Sequence, residues 1–367
     1  MNRPRLRVAG IGAGYFSRFH RDGWKRIDDV EVVGWCDTDP VKARHAAAEL
    51  GGARAFDDAA AMLDALQPQL VDIVTPPDTH EALVSLCASR GLATICQKAL
   101  APTLAEAVRI VDIAEAAGIA FVVHENFRWQ PWYREAKRLI DAGTLGTPHA
   151  ISFRLRPGDG QGPRAYLDRQ PYFQRMPRFL VHETAIHFID TFRFLMGEVD
   201  AVTARLRRMN RVIAGEDAGY VVFEFHDGAT GLFDGNRLND HVAANPRRTM
   251  GEMWLEGSAG VLRLDGDAGL WWKPHQRDEA EHRYDRGDDA AFGGGCCEAL
   301  QRHVVSHLSR GTPLENRGRD YLVNLDIQEA VYASHANGTR IALPPTTPRS
   351  PERATPDTTC AANDRAP

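Results

Sequence analysis

Apolar residues in the first third of the chain occur in short β-branched runs that alternate with segments of helical period. Five such runs lie between residue 5 and about residue 125: LRVAGI, EVVGWCD, LVDIVTP, GLATICQ and GIAFVVHE. This alternation predicts a doubly wound parallel sheet with crossover helices, and therefore an α/β domain over residues 1–125. One of its helices has clear ends, because Thr103 and Glu106 form a capping box and Gly118 follows the last turn.

The pattern changes around residue 126 to longer runs in which apolar and polar residues alternate. After the helical segment PWYREAKRLIDAG come HAISFRLR, VTARLRRM, GYVVFEF, ATGLFDGN, MGEMWLEG and GVLRLDG, joined by Gly, Asp and Asn turns. Such runs predict an antiparallel meander with one buried face, and hence an α+β domain over residues 126–343 with a large open sheet. Two helical patterns follow, and residues 344–367 have too little apolar content to order themselves, which predicts a disordered tail.

Composition narrows the class of protein. A chain of 367 residues suits two domains, and a formal charge of −5 without a basic stripe argues against binding to nucleic acid or to a membrane surface. The six cysteines have no paired-ligand spacing, and Cys36, Cys87 and Cys96 lie in apolar patterns, as expected of reduced cysteines. The chain shows neither a signal-peptide pattern nor a run of membrane-spanning length. We therefore expect a cytoplasmic enzyme or binding protein for a small molecule.

The first strand runs directly into a glycine-rich turn, GAGYFS, which has the form GxGxxS. Gly12 permits a tight strand-to-helix turn, Gly14 lets backbone N–H groups approach a pyrophosphate, and Ser17 is small enough for close helix packing. The second apolar run ends at Asp37, roughly the ~20 residues further on at which a ribose-binding acid is expected. An ordinary βα turn is the alternative, but the context predicts a dinucleotide site. A carboxylate at residue 37 favours NAD over NADP.

Polar residues follow three later strands, at the edge where an open α/β sheet binds ligands. These residues are Thr75, Pro76, Pro77 and His80 in TPPDTH, Gln97 and Lys98 in CQKALAP, and Asn126 and Arg128 in HENFRWQPWYR. Each segment also has an ordinary interpretation: a strand terminator, a solvated surface lysine, and a hinge that packs aromatic rings between domains. Their shared position at one sheet edge favours a role in binding.

The segment VHETAIHFIDTFRFLMG predicts a helix that carries Glu183 and His187 at i and i+4. On one helix face the carboxylate can orient the imidazole, and a supported histidine beside Lys98 can take a proton from an alcohol as hydride leaves its carbon. A core helix with a hydrogen-bonded histidine is the alternative. A zinc site is disfavoured, because His182 and His187 are five residues apart and diverge around a helix.

Together these motifs resemble the glucose-fructose oxidoreductase, inositol dehydrogenase and MocA family over nearly the whole chain. The shared features are GxGxxS, Asp37, TPPxxH, the lysine of QKAL, and ExxxH with Asp190 three residues further on. More narrowly, HENFRWQPWYR and the ETAIHFIDTFRF helix are similar to members that oxidise aldoses such as D-apiose. The family pattern has Glu where this chain has Gln97 and Pro where it has Ala99, and the second departure predicts a looser or differently shaped lysine loop.

The resemblance implies an NAD-dependent sugar dehydrogenase that oxidises the anomeric carbon of a cyclic aldose to an aldonolactone. It also implies a homo-oligomer formed through the open sheet, and no metal. A glycosidase of the same fold and a non-catalytic NAD-binding sensor remain as alternatives. Lys98 would be the catalytic lysine, His187 the acid/base and Glu183 its supporting carboxylate. The implied cofactor contacts are Gly12, Gly14, Tyr15, Phe16, Ser17, Asp37, Thr75, Pro76, Pro77, His80, Gln97, Lys98, Asn126 and Arg128.

Overall fold

The computed structural model describes residues 4–344, and its first part forms a parallel sheet with helices on both faces. The strands are β1 Leu6–Ile11, β2 Val30–Cys36, β3 Arg54–Phe56, β4 Leu70–Ile73, β5 Ala93–Gln97 and β6 Phe121–His124. The helices are α1 Ser17–Trp24, α2 Pro40–Ala48, α3 Ala59–Leu66, α4 His80–Ala88 and α5 Leu104–Ala116. The strand order β3-β2-β1-β4-β5-β6 is that of a Rossmann sheet, which confirms the predicted fold class. The short strand β3 has no counterpart in the predicted set.

A second, nine-stranded sheet follows helix α6 Pro131–Asp141. Its strands are β7 Pro148–Leu155, β8 Val199–Arg207, β9 Ala218–Phe225, β10 Thr230–Asn236, β11 Gly251–Gly257, β12 Gly260–Leu264, β13 Leu270–Pro274, β14 Ala280–His282 and β15 Ile341–Ala342. The strand order is β14-β13-β12-β11-β7-β10-β9-β8-β15. The large, mainly antiparallel sheet is confirmed, but the simple meander is wrong. Strand β7 lies between β11 and β10 and runs parallel to β10, and alternation of side chains cannot reveal this because it carries no strand direction.

One face of the second sheet is covered by helices α7 Ile186–Met196 and α9 Gly318–Asn337. Phe188 of α7 packs against Phe153 and Phe233 of the sheet, with ring centroids 4.1 and 5.2 Å apart. The opposite face carries the larger exposed side chains Tyr220 and Leu232, which are 45% and 40% exposed. The second domain is therefore a two-layer unit with one open sheet face.

Helix α8 Cys296–Arg310 returns from the second half of the chain to the first sheet. Leu300 and Val304 of α8 are buried in the same core cluster as Trp24 and Trp35. The division of the chain at residues 125 and 126 stays a prediction, and α8 from beyond it completes the core of the first sheet. The predicted tail, residues 344–367, lies outside the described residues except for its first residue.

Two sequence features can be placed within residues 4–344. Cys36, Cys87 and Cys96 are free and buried, as are Cys296 and Cys297. Over the same residues, no helix combines the length and the apolar character needed to span a bilayer.

Candidate active site

A cavity of about 680 Å³ lies where the carboxyl ends of β1, β4 and β5 face the start of α7. Its first-domain wall comes from the glycine-rich turn, the loop after β4 and the lysine loop after β5. Among the predicted residues, those lining the cavity are Gly14, Tyr15, Phe16, Thr75, Pro76, Pro77, Gln97, Lys98, Asn126, Glu183 and His187. Residues from separate strands and from both parts of the chain thus meet in one space, which is a common location for a small-molecule site.

The glycine-rich turn has the geometry of a phosphate-binding loop. Gly12 has φ +102°, and a Cβ there would lie 2.6 Å from the carbonyl oxygen of Val74, so only glycine fits. A Cβ at Gly14 would meet no atom within 4 Å, which leaves open space above the turn. Buried Ser17 donates from Oγ to the Gly14 carbonyl at 2.7 Å and so ties the turn to α1. The start of α1 is therefore open to an anion.

Asp37 lies beside this turn, at the end of β2. Its Oδ2 accepts a hydrogen bond of 2.7 Å from the backbone N–H of Ala13, and Oδ1 accepts one of 2.9 Å from Asp39. Each carboxylate oxygen keeps further acceptor capacity, which suits the two hydroxyls of an adenosine ribose. The turn, the open space and this acid fit NAD, with Asp37 on the ribose and the turn on the pyrophosphate.

Gln97 is held by a buried polar chain behind the cavity. The carboxylate of Asp72 can only accept, so Nδ1 of His20, 2.9 Å away, donates to it. Nε2 of His20 then accepts from Nε2 of Gln97 at 3.1 Å. The Gln97 Oε1 accepts from the backbone N–H of Lys98 at 2.7 Å. An amide at residue 97 therefore satisfies donor and acceptor at once.

Lys98 reaches across to the second domain. Its Nζ lies 3.0 Å from Oε1 of Glu183 and donates to the Glu183 backbone carbonyl at 2.8 Å. The peptide bond between Lys98 and Ala99 is cis. The two contacts with Glu183 make the ammonium of Lys98 a fixed hydrogen-bond donor at the cavity wall.

The prediction that Glu183 orients the His187 ring is wrong, because its carboxylate acts on the imidazole through its negative charge and not through a hydrogen bond. Glu183 lies in a π-helical turn, Leu180–Ala185, that precedes α7, and its carboxylate pairs with Lys98. Residues at i and i+4 share a face only where the backbone between them is α-helical, whereas a π turn follows an i→i+5 pattern. The partner of His187 is Glu125, whose Oε1 lies 2.6 Å from Nδ1 of the ring.

Burial shifts the pKa values of His187 and Glu125 in opposite directions. Desolvation, and then the positive charge of Lys98, hold the pKa of His187 well below its usual range. Desolvation and the negative charge of Asp190 raise the pKa of Glu125 from its ordinary value of 4.5 to about 8. His187 is therefore a neutral imidazole at neutral pH, with a hydrogen on one ring nitrogen.

A network of charged and polar groups forms the second-domain wall. Arg237 donates to Oδ2 of Asp159 at 2.8 Å and, through Nε, to the hydroxyl of Tyr166 at 2.9 Å. Another nitrogen of Arg237 donates to Oγ1 of Thr184. Burial alone would raise the pKa of Asp159, but the positive charges of Arg237 and Arg169 hold it below its usual range. This wall is thus rigid and polar.

Five of the predicted cofactor residues do not line the cavity: Gly12 and Ser17 belong to the adjoining glycine-rich turn and Asp37 lies beside it, whereas His80 and Arg128 have other roles. Both ring nitrogens of buried His80 lie 2.9 Å from backbone carbonyls, those of Leu100 and Thr75. Arg128 is committed to Asp190 through two hydrogen bonds of 2.6 Å. His80 therefore holds two loops together and Arg128 joins the domains, and neither lines the cavity.

Sequence reasoning missed Glu125 and most of the second-domain wall. Glu125 directly follows a buried strand, the signal that identified Asp37, and could have been found in this way. Asp159, Arg169 and Tyr172 lie in the segment RPGDGQGPRAYLDRQPYFQ, whose conformation cannot be derived from its residue pattern. Arg237, which follows β10, stands among many surface arginines and carries no local signal.

The chain matches the sequence profiles of a known protein family. The profile of an oxidoreductase family with an NAD-binding Rossmann fold, Gfo/Idh/MocA, matches residues 6–125. The profile of the Gfo/Idh/MocA C-terminal domain matches residues 133–263. The chain belongs to the Gfo/Idh/MocA family. It is an NAD-binding oxidoreductase, and the family and cofactor predicted from its motifs are confirmed.

Several members of this family are similar over nearly their full length. A D-apiose dehydrogenase of Paraburkholderia graminis is 37% identical over 92% of this chain and 90% of its own. A D-apiose dehydrogenase of Rhizobium rhizogenes is 30% identical over 94% of this chain and 99% of its own. A solved oxidoreductase from Agrobacterium radiobacter, in complex with NAD⁺, L-tartaric acid and magnesium, is 29% identical. It superposes with a TM-score of 0.83 and covers 92% of this chain and 98% of its own.

Proposed function

We propose that this protein is an NAD-dependent sugar dehydrogenase that oxidises the anomeric carbon of a cyclic aldose, a pentose such as D-apiose, to an aldonolactone. The observation that carries the proposal is the convergence of Lys98 and His187, from two domains, on one cavity beside the dinucleotide turn. The two D-apiose dehydrogenases at 37% and 30% identity support the substrate class.

His187 and Lys98 act on the same substrate oxygen. Nε2 of His187 takes the proton of the anomeric hydroxyl, while Nζ of Lys98 donates a hydrogen bond to the oxygen as negative charge develops. When bound, NAD supplies the acceptor for the hydride that leaves C1. Glu183 holds the ammonium of Lys98 at the cavity wall through contacts of 3.0 and 2.8 Å.

The sugar faces the polar wall of the second domain. Thr184 accepts a hydrogen bond from Arg237, so its own hydroxyl hydrogen is free to donate to a sugar oxygen. Arg237 in turn is held by Asp159 and Tyr166. A wall of fixed hydrogen-bond donors and acceptors suits a small polyhydroxylated substrate.

The open sheet face supports a further part of the proposal, a homo-oligomer of this chain. Tyr220 and Leu232 lie on neighbouring strands of this face and are 45% and 40% exposed. Apolar side chains of this size on an open sheet are typical of surfaces that pack against a second copy. The measurement is the mass of the protein in solution by light scattering, compared with that of Leu232→Lys, which we expect to weaken the assembly.

The direct test of function is a screen of aldoses, inositols and 2-hydroxy acids with NAD, followed by NADH absorbance. We expect a cyclic pentose or branched pentose to be oxidised in preference to myo-inositol and 2-hydroxy acids. The lactone is trapped with hydroxylamine as a hydroxamate, which separates oxidation at the anomeric carbon from oxidation elsewhere on the ring. If myo-inositol is the best substrate and aldoses are inert, the proposal is wrong.

A further inference from the structure

One buried carboxylate at the site has no part in the steps above. Glu125 is fully buried at the end of β6, with Oε1 2.6 Å from Nδ1 of His187. Oε1 also accepts a hydrogen bond of 3.2 Å from the backbone N–H of Phe127. The other oxygen, Oε2, has no hydrogen-bond partner among the residues that the structure describes. A carboxyl group in such a position is costly to bury, which suggests that it is kept for the chemistry.

The imidazole of His187 is fixed in two independent ways. The ring of Phe127 is stacked on it, with centroids 3.9 Å apart and planes 4° from parallel. Glu125 holds its Nδ1 edge. Only Nε2 then remains available to the cavity that His187 lines.

Building on the proposed dehydrogenase function, we propose that Glu125 is a positioning residue that sets which nitrogen of His187 carries the hydrogen. The ionised carboxylate accepts the Nδ1 hydrogen, and the lone pair of Nε2 then faces the substrate hydroxyl. When the carboxyl group is protonated, the hydrogen bond reverses. Glu125 then donates to Nδ1, Nε2 carries a hydrogen, and the ring cannot accept the proton of the sugar. One proton on the pair thus switches His187 between acceptor and donor.

The groups around Glu125 place this switch near neutral pH. Burial and Asp190 favour the protonated carboxyl, whereas Lys98 and Arg128 favour the ionised one, and the balance raises the pKa of Glu125 to about 8. The titratable and charged groups that face Glu125 come from every neighbouring element: His187 and Asp190 on α7, Lys98 after β5, Arg128 after β6, Cys296 on α8 and Tyr321 on α9. Sugar oxidation is therefore expected to gain rate as the pH rises through about 8.

The first test compares pH profiles of kcat/KM for the best aldose. Glu125→Gln is expected to lower kcat about 10- to 100-fold, to abolish the rise near pH 8 and to leave the affinity for NAD unchanged. Glu125→Asp keeps a carboxyl group and is expected to restore a rising limb at reduced rate. Glu135→Gln is the matched control, since Glu135 contacts Arg138 and His282 but not His187, Lys98 or Arg128. If kcat/KM of Glu125→Gln still rises near pH 8 as in the unmodified protein, the inference is overturned.

The second test observes the ring directly and does not depend on turnover. In histidine-labelled protein, the signals of His187, assigned by their loss in His187→Asn, report which nitrogen is protonated. We expect them to titrate with a midpoint near pH 8 in the unmodified protein and not in Glu125→Gln. If the protein does not oxidise aldoses but its His187 signals still titrate only when Glu125 is present, the proposed function alone is refuted. Active enzyme whose His187 signals do not depend on Glu125 would refute this inference alone.

Discussion

Lys98 and Glu183 are joined twice across the domain boundary. Nζ of Lys98 lies 3.0 Å from the Glu183 carboxylate and donates to the Glu183 backbone carbonyl at 2.8 Å. Because one of these contacts is to the backbone, the ammonium stays at the π turn even when the carboxylate moves. The π turn, rather than the Glu183 side chain alone, therefore holds the ammonium of Lys98 at the cavity wall.

Removal of the ammonium tests this placement. Lys98→Met keeps the length and apolar stem of the side chain but removes its charge and its hydrogens. We expect kcat for aldose oxidation to fall by about 10²- to 10⁴-fold while the affinity for NAD stays nearly unchanged. Steady-state kinetics and an NADH fluorescence titration measure the two effects. Lys137→Met, on the surface of α6 where Lys137 pairs with Asp141, is the control and should behave like the unmodified protein. Near-full turnover of Lys98→Met would give Lys98 a purely structural role.

Asp37 predicts the choice of cofactor. The carboxylate is fixed beside the glycine-rich turn by Ala13 at 2.7 Å and would face the 2′-phosphate of NADP with like charge. We expect NAD to be preferred by more than about 10-fold in kcat/KM, since about 1.4 kcal/mol of repulsion suffices. Asp37→Ser combined with Thr38→Arg should relax or reverse the preference, because a guanidinium then pairs with the phosphate. Equal kcat/KM for both cofactors in the unmodified protein would show that Asp37 does not contact the ribose.

Replacement of Thr184 is expected to weaken sugar binding without weakening cofactor binding. Thr184→Val keeps the shape of the side chain but removes the hydroxyl that Arg237 orients. We expect kcat/KM for the aldose to fall about 5- to 10-fold, the equivalent of about 1 kcal/mol for one hydrogen bond, with an unchanged KM for NAD. Thr94→Val is the matched control, because Thr94 is buried in the first sheet and donates to Leu92 at 3.0 Å, away from the cavity. A larger effect on NAD than on sugar would place Thr184 on the cofactor side.

Glu125 makes stability depend on pH in a defined direction. Burial raises the pKa of this carboxyl from 4.5 to about 8 in the folded protein, so the folded chain holds the proton more tightly than the unfolded chain. The contribution to stability is complete below pH 4.5 and is lost as the pH rises through about 8. Thermal unfolding at about pH 5 and about pH 9 should therefore show a smaller fall in Tm for Glu125→Gln than for the unmodified protein. An equal or steeper fall in the variant would contradict the buried, proton-binding carboxyl.

The parts of the site that could be predicted from sequence are those set by local backbone geometry. Gly12 and Asp37 follow the two strands of one βαβ unit, so their positions follow from spacing alone. The partner of His187 could not be predicted in this way, because a π turn before α7 turns Glu183 toward Lys98. A pairing between Glu125 and His187 joins residues 62 positions apart, and sequence pattern does not report such distances.

In the fold, too, features set by neighbouring segments could be predicted, whereas pairings between distant segments could not. The first sheet follows from alternating strands and helices, since right-handed crossovers restrict the order of parallel strands. The insertion of β7 between β11 and β10 depends on pairing between distant segments, and alternation of side chains is the same for either strand direction. His80 shows that position at the ligand-binding edge of the sheet does not by itself identify a ligand contact. Its ring is buried and hydrogen-bonded to the backbone carbonyls of Thr75 and Leu100.

In the proposed reaction, His187 takes the proton of a sugar hydroxyl as the aldose is oxidised with NAD. The most direct measurement is the steady rate of NADH formation from a cyclic pentose by the unmodified protein and by His187→Asn, with NAD affinity measured on both. We predict sustained turnover by the unmodified protein, a fall in kcat of about 10²- to 10⁴-fold in the variant, and nearly equal affinities for NAD. Turnover of the variant close to that of the unmodified protein would contradict the account.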